Sequence, residues 1–263
     1  MFPILLKLGP LTIRTYGVLI AIGLFVALRY ISVQGRRENI SEDSIMDMGL
    51  YIIVAGLLGA RAAYVAQNWQ YYSSNITAIF KIWEGGLVFY GGFIAGLVAA
   101  LIYLRAHREI NLWVFGDIIA PALALAQSFG RIGCFFAGCC YGSACALPWA
   151  VTFKNAQSLA PLNVALHPVQ LYESAGCFLI FIFLDWYNRH RHKTGFALGA
   201  YLVFYALLRF HLEFLRSDDR GGAWIGLSPS QIISLFALVS GALILVLKNH
   251  AKTQLNNTNN NCR

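Results

Sequence analysis

Apolar positions in this chain run on far past what one face of a soluble helix requires. Seven stretches stand out, over residues 16–33, 45–67, 87–104, 112–129, 171–187, 196–214 and 229–247. A helix of about 20 mostly apolar residues crosses the hydrocarbon core of a bilayer, so each is predicted to span a membrane. The third to fifth are short and interrupted by glycine or proline. Segments 52–58 and 97–104 are apolar on every side. A soluble bundle would need a polar face at helical spacing there.

The polar remainder fixes an expected orientation. Arg36 and Arg37, Arg105 and Arg108, then Arg189, Arg191 and Lys193 fall in loops on one side, with Lys248 and Lys252 after the last span. Basic short loops stay cytoplasmic, which predicts an outer N-terminus and a cytoplasmic C-terminus, as seven crossings require. Composition agrees: 58% of the 263 residues are hydrophobic and 12% charged, against roughly 25% charged in soluble domains. The net charge of +8 therefore reads as topology. No nucleic-acid partner is expected, and the partners are membrane lipids. The fold expected is all-α, a polytopic membrane protein with seven transmembrane helices. Residues 1–250 form one integral membrane domain, and 251–263 a disordered cytoplasmic tail. The loop of about 131–170, with Pro148, Pro161 and Pro168, is long enough for a small outer-face subdomain. No cleavable signal pattern and no internal repeat are evident. Trp69, Tyr71, Tyr72 and Trp83 suit anchoring at the headgroup level.

Against that frame a second set of arginines is out of place. Arg14, Arg61, Arg131, Arg209 and Arg216 fall in the half expected to face outward. Arginine at membrane depth costs several kcal/mol unless it is wet or paired, and its planar fork suits a phosphate. As a set they suggest a headgroup-phosphate site. Pairing with buried acids is the competing reading: Arg209 and Glu213 are four residues apart on one helix face, and Glu173 and Asp117 are available to others. Glycines cluster at Gly85-Gly86, Gly91-Gly92 around Tyr90, and at Gly130, Gly133, Gly138 and Gly142. They permit close helix packing or unusual backbone. Packing does not explain why Tyr90 and Arg131 sit inside the two richest clusters.

Cys134, Cys139, Cys140 and Cys145 lie within twelve residues, with Cys177 and Cys262 scattered. The spacing lacks paired CxxC units, and adjacent cysteines rarely serve one ion. No metal and no cofactor are expected; an outer-loop disulfide and space-filling thiols both stay open. His167 opens His-Pro-Val-Gln-Leu-Tyr-Glu and is either a base near neutral pH or a brace for the loop. His107, His190, His192 and His250 fall in basic regions and are expected to be solvated.

Six ordered pieces give the chain a family likeness from Gly9 to Gln231: Ile13-Arg14-Thr15-Tyr16-Gly17, GARAAY around Arg61, GGLVFYGG around Tyr90, FGRIGCFFAGCCYG around Arg131, HPVQLYE from His167 and LLRFHLEFLR from Leu207. The sequence resembles bacterial phosphatidylglycerol–prolipoprotein diacylglyceryl transferases. The resemblance implies transfer of a diacylglyceryl group from phosphatidylglycerol to the lipobox cysteine thiol of a prolipoprotein signal peptide. A thioether forms and glycerol phosphate leaves, the first step of lipoprotein maturation. The implied setting is the bacterial inner membrane, with the active site toward the outer leaflet and a monomer as the working unit.

Arg131 and Arg209 match the family's essential arginines and are expected to stabilise charge on the leaving phosphate. Tyr16 matches a required tyrosine that orients the donor. Glu213 positions Arg209, and Gly142 belongs to the signature. Arg14, Arg61, Gly91, Gly92, Gly133, Cys134, His167 and Arg216 complete the expected substrate-binding set. The chain departs from the pattern at Tyr90, where some members carry His, at Cys134 in place of Asn, and at Cys139 in place of Glu. Tyrosine, with a reference pKa near ~10, is a poor base. Tyr90 is therefore expected to hydrogen-bond while the arginines ionise the acceptor thiol. Two other classes remain as alternatives: a transporter binding an anion through buried arginines, and a thiol oxidoreductase built on the cysteines.

Overall fold

A computed structural model describes residues 2–8, 11–82, 85–190, 193–218 and 226–260. Gly9, Trp83, Arg191, His192 and Cys262 lie outside the described residues, as do the side chains of His250 and Lys252. The elements run β1 (Ile4–Leu8), β2 (Leu11–Arg14), α1 (Thr15–Arg37), α2 (Glu42–Gln67), α3 (Trp69–Ser74), a 3-10 turn (Ile76–Phe80), α4 (Phe89–Ala106), α5 (Leu112–Ala137), β3 (Val151–Thr152), β4 (Ala165–Leu166), α6 (Val169–His190), α7 (Phe196–Glu213) and α8 (Pro229–Asn260). Among the described residues, six helices are long and apolar enough to cross a membrane: α1, α2, α5, α6, α7 and the Pro229–Lys248 part of α8. A multi-pass membrane protein follows. The third expected span falls on α4, which is a shorter apolar helix.

Two boundaries differ from expectation. The chain before α1 folds as an antiparallel hairpin, β1 against β2, with Arg14 opposite Ile4. Helix α5 runs to Ala137, beyond the expected end at 129, so Arg131, Gly133 and Cys134 sit on its last turns. α8 keeps a helical backbone to Asn260.

The chain forms two compact units, Ser32–Leu112 and the pair Met1–Ile31 with Trp113–Arg263. In the 32–112 unit, α2 starts at Ser41, whose hydroxyl accepts from Ser44 N at 3.1 Å, with Glu42 and Asp43 in the first turn. Both devices satisfy a helix N-terminus. Gly91 on α4 lies against Gly59 on α2, and Gly92 against Gly56, so closely that a β-carbon on Gly92 would stand 2.9 Å from the Gly56 carbonyl. These glycines let two backbones meet.

In the larger unit, α5, α6 and α7 bury Ala120, Ala124, Ile180, Leu184, Ala197, Ala200 and Tyr201 together. The Asp117 carboxylate accepts from Gly195 N and Leu198 N at the start of α7, so among the described residues it holds a helix end and not an arginine. Segment 138–168 wraps a small apolar cluster of Phe153, Ala160 and Leu166 backed by Phe135, Tyr141 and Val151. It returns to α6 through the β3–β4 pair.

Candidate active site

Three arginines of the larger unit converge on three carboxylates. Arg131, near the end of α5, places Nη2 3.0 Å from Glu173 Oε1, and Glu173 on α6 is fully buried. Tyr205 on α7 donates its hydroxyl to the same oxygen at 3.3 Å. The other Glu173 oxygen lies 3.7 Å from Arg216 Nη1. Arg216 also grips Asp218 with Nε and Nη2 at 2.9 and 3.0 Å. One turn of α7 carries Arg209 and Glu213, paired Nη1 to Oε2 at 2.6 Å. Arg209 Nη2 donates to Ser230 Oγ at 2.9 Å, and Ser228 Oγ donates to Glu213 Oε1 at 2.7 Å. The opening of α8 therefore clamps this turn of α7.

The pairs are close without being fully hydrogen-bonded. Arg209 Nη1, Arg216 Nη1, Glu173 Oε2 and Glu213 Oε2 are buried with no aligned hydrogen-bond partner. Native interiors leave few such atoms, and those they leave call for a reason. Among the described residues Arg131 pairs through Nη2 alone, so the rest of its fork is available to an acceptor. A half-used guanidinium beside two further buried arginines suits a phosphate.

Glycines set the frame around it. Gly142 bridges in strand fashion to Arg216 and donates its N–H to the His167 carbonyl at 3.2 Å. A β-carbon there would lie 2.6 Å from His167 Cβ, His167 O and Val169 Cγ2. Gly133 faces Tyr16, 3.1 Å from Cδ2 to its would-be β-carbon, and this brings the first turn of α1 against α5. Ser143 N donates to Leu215 O at 2.8 Å, a further stitch between the loop after α5 and the chain after α7.

A family model described as Prolipoprotein diacylglyceryl transferase matches residues 3–247. The phosphatidylglycerol–prolipoprotein diacylglyceryl transferase of Clostridium tetani is 38% identical over 93% of this chain and 96% of its own length. A second relative, of Clostridium perfringens, is 36% identical over 89% and 90%. One from Thermosynechococcus vestitus is 35% identical over 90% and 88%. The chain belongs to the prolipoprotein diacylglyceryl transferase family. Nothing in that membership supports the transporter reading.

Within this diacylglyceryl transferase the expected site residues separate. Tyr16, Arg131, Gly133, Cys134, Gly142, His167, Arg209, Glu213 and Arg216 share the larger unit, as does Arg14 on the hairpin, where it is exposed. Arg61, Tyr90, Gly91 and Gly92 belong to the other unit. There Arg61, 6% exposed, spends its whole fork on backbone carbonyls. Nε reaches Ile79 at 2.8 Å, Nη1 reaches Gly85 and Gly86 at 2.7 and 3.2 Å, and Nη2 reaches Ala78 and Lys81 at 2.6 and 3.4 Å. A guanidinium has five N–H donors, and with all three nitrogens engaged by carbonyls the contacts favour a structural role for Arg61 over the expected substrate contact. Tyr72, which is buried, holds its ring 5.4 Å from the same cation. Gly91 and Gly92 are likewise packing glycines between α2 and α4. Tyr90 is half exposed on the first turn of α4.

Two features escaped the sequence reading. Glu173 is the hub of the network, although only its availability as a partner was legible. The thiols of Cys134, Cys139 and Cys140 also gather within 4.8 Å of one another. Among the described residues no disulfide forms. Hydrogen bonds from Cys134 and Cys139, and then the Arg216 charge, hold the Cys140 thiol below its ordinary pKa. The contacts with Cys134 and Cys140 push Cys139 up. His167 Nδ1 is buried with no partner among the described residues, while the His167 backbone braces Ser143 and Gly142.

Proposed function

We infer that the protein transfers the diacylglyceryl group of phosphatidylglycerol to the lipobox cysteine thiol of prolipoproteins, forming a thioether and releasing glycerol phosphate. The observation that supports the site assignment is the buried convergence of Arg131, Arg209 and Arg216 on Glu173 and Glu213, in which Arg131, among the described residues, pairs through one nitrogen alone. Displacement at the glyceryl carbon breaks a C–O bond and leaves its electron pair on the phosphate. Pre-placed cationic donors stabilise that charge as it develops. Arg131 and Arg209 take this role, and Glu213 with Ser230 positions Arg209. Glu173 holds Arg131 and Arg216 in one place and takes only one nitrogen of the Arg131 fork. Tyr16 orients the donor lipid, Tyr90 hydrogen-bonds substrate, and Arg14, Gly133, Cys134, Gly142, His167 and Arg216 line or frame the pocket.

The reading extends to topology. All seven apolar helices, the short α4 included, span the inner membrane with the N-terminus outside. The 131–170 loop and the active site face the outer leaflet, and both compact units serve one membrane domain over 1–250. Residues 251–263 form a cytoplasmic tail. The enzyme works as a monomer on lipid and signal peptide, without nucleic acid. Purified protein given phosphatidylglycerol and a lipobox peptide should release glycerol phosphate. Arg131→Ala and Arg209→Ala should cut release by about 100- to 1,000-fold while Arg189→Ala keeps it. Equal activity in all three would remove the site assignment, and anion uptake by proteoliposomes without lipid transfer would restore the transporter.

A further inference from the structure

We propose that Cys134, Cys139 and Cys140 form a binding site for a thiophilic divalent metal ion of the zinc type, with their three sulfurs as ligands. The three Sγ atoms already lie within 4.8 Å of one another. Tetrahedral zinc at about 2.3 Å from each sulfur sets ligand sulfurs roughly 3.8 Å apart, so closure onto an ion takes sulfur shifts of about 1 Å or less. Successive side chains of extended backbone point to opposite sides, which is why adjacent cysteines seldom share an ion. Here Cys140 adopts a left-handed backbone, φ 60°, two residues after Gly138 at φ 77°. A side chain bearing a β-carbon rarely takes that conformation, and strain of this kind gathers at functional positions. Its effect is to put both neighbouring sulfurs beside Cys134.

The surroundings hold the turn in place. Gln170, 1% exposed, donates Nε2 to the Cys139 carbonyl at 2.8 Å. Cys134 is anchored on the last turns of α5, and the Cys139 thiol points back to the Cys134 carbonyl at 3.7 Å. On binding, each thiol gives its proton to water as a sulfur lone pair joins the ion, and no electrons change hands. Three thiolates on a divalent ion carry one net negative charge. The Arg131 and Arg216 charges lie within electrostatic reach of these sulfurs and offset it. Three protein ligands leave a tetrahedral ion one open position. Cys145 and Cys177 stand apart from the cluster.

The inference does not rest on the transferase reading, because it is tested by metal uptake and not by turnover. Cobalt(II) added to the purified full chain in detergent, under reducing conditions, should give sulfur-to-cobalt charge-transfer and tetrahedral ligand-field bands. The bands should saturate at one ion per chain, and equimolar zinc should erase them. C134S, C139S and C140S should each weaken binding by more than about 100-fold, the upper end of what losing an outer-shell partner costs. C145S and C177S should leave the spectrum unchanged. As a check independent of variant folding, zinc should shield the three cysteines of the unmodified chain from alkylation, mapped by mass spectrometry, while Cys145 still reacts. Absent bands, bands that survive in C139S or C140S, or alkylation unaffected by zinc would each overturn the proposal.

Discussion

Arg61 and Arg131 are the same residue type in two very different settings. Arg61 is wrapped by carbonyls of one short segment, Ala78 to Gly86. Arg131 meets a single carboxylate that it shares with Arg216 and Tyr205. A fork saturated by backbone is a clasp: it holds a loop and has nothing left to offer. A fork held by one shared carboxylate is oriented yet unspent. Chemistry on a phosphate needs the second kind, and fixing an irregular loop whose carbonyls lack helical partners needs the first.

The sharpest way to break that contrast is Arg131→Ala. Removing a positioned cationic donor should lower turnover by about 100- to 1,000-fold, or about 3–4 kcal/mol, read as glycerol phosphate release by folded, monodisperse protein. A variant retaining a tenth of normal activity would place the leaving group elsewhere. Arg61→Ala should do the reverse. The five carbonyls belong to half-buried or exposed residues and can turn to water. The loss is therefore that of a few hydrogen bonds at about 1 kcal/mol net each, and unfolding in detergent should become easier by about 3 kcal/mol. The fraction that stays folded should turn over within about threefold of normal. A large loss of turnover with an unchanged unfolding midpoint would restore Arg61 to the site.

Gly142→Ala tests the frame between these extremes. Its new β-carbon must displace His167 or Val169, an overpacking cost of about 1–3 kcal/mol. The strand-like bridge to Arg216 should shift with it, for a turnover loss of about tenfold that Gly133→Ala, near the softer Tyr16 ring, should not match. Smallest is Tyr90→Phe. Loss of one hydrogen bond, about 1 kcal/mol, predicts roughly a fivefold drop, whereas abolished turnover with donor binding intact would make Tyr90 the base.

What could be read from the sequence follows from which atoms carry the interaction. Six of the seven expected spans were legible because apolar runs are side-chain facts, and the Arg209–Glu213 pair because a four-residue spacing is one too. The end of α5 was not. The expected end lay at 129, just before Gly130 and Gly133, yet both stay within α5, where Gly133 makes room for Tyr16. The Arg61 clasp was hidden because its partners are main-chain oxygens, which every residue possesses. The thiol cluster was hidden because sequence spacing assumes ordinary backbone, and Cys140 departs from it. Glu173 could be named as a partner, but its sharing between two arginines depends on how α5, α6 and the end of α7 meet.

The stitches from Gly142 to Arg216 and from Ser143 to Leu215 also impose an order on biogenesis. Their two sides leave the ribosome two helices apart. At roughly 10 residues per second, seconds pass between the emergence of the loop after α5 and the arrival of its partner strand. During that interval Arg131 is already made while Glu173 and then Arg216 are still to come. The nascent chain thus holds a charged helix end open until its counterion is synthesised, a window in which an insertase or chaperone would have most to protect.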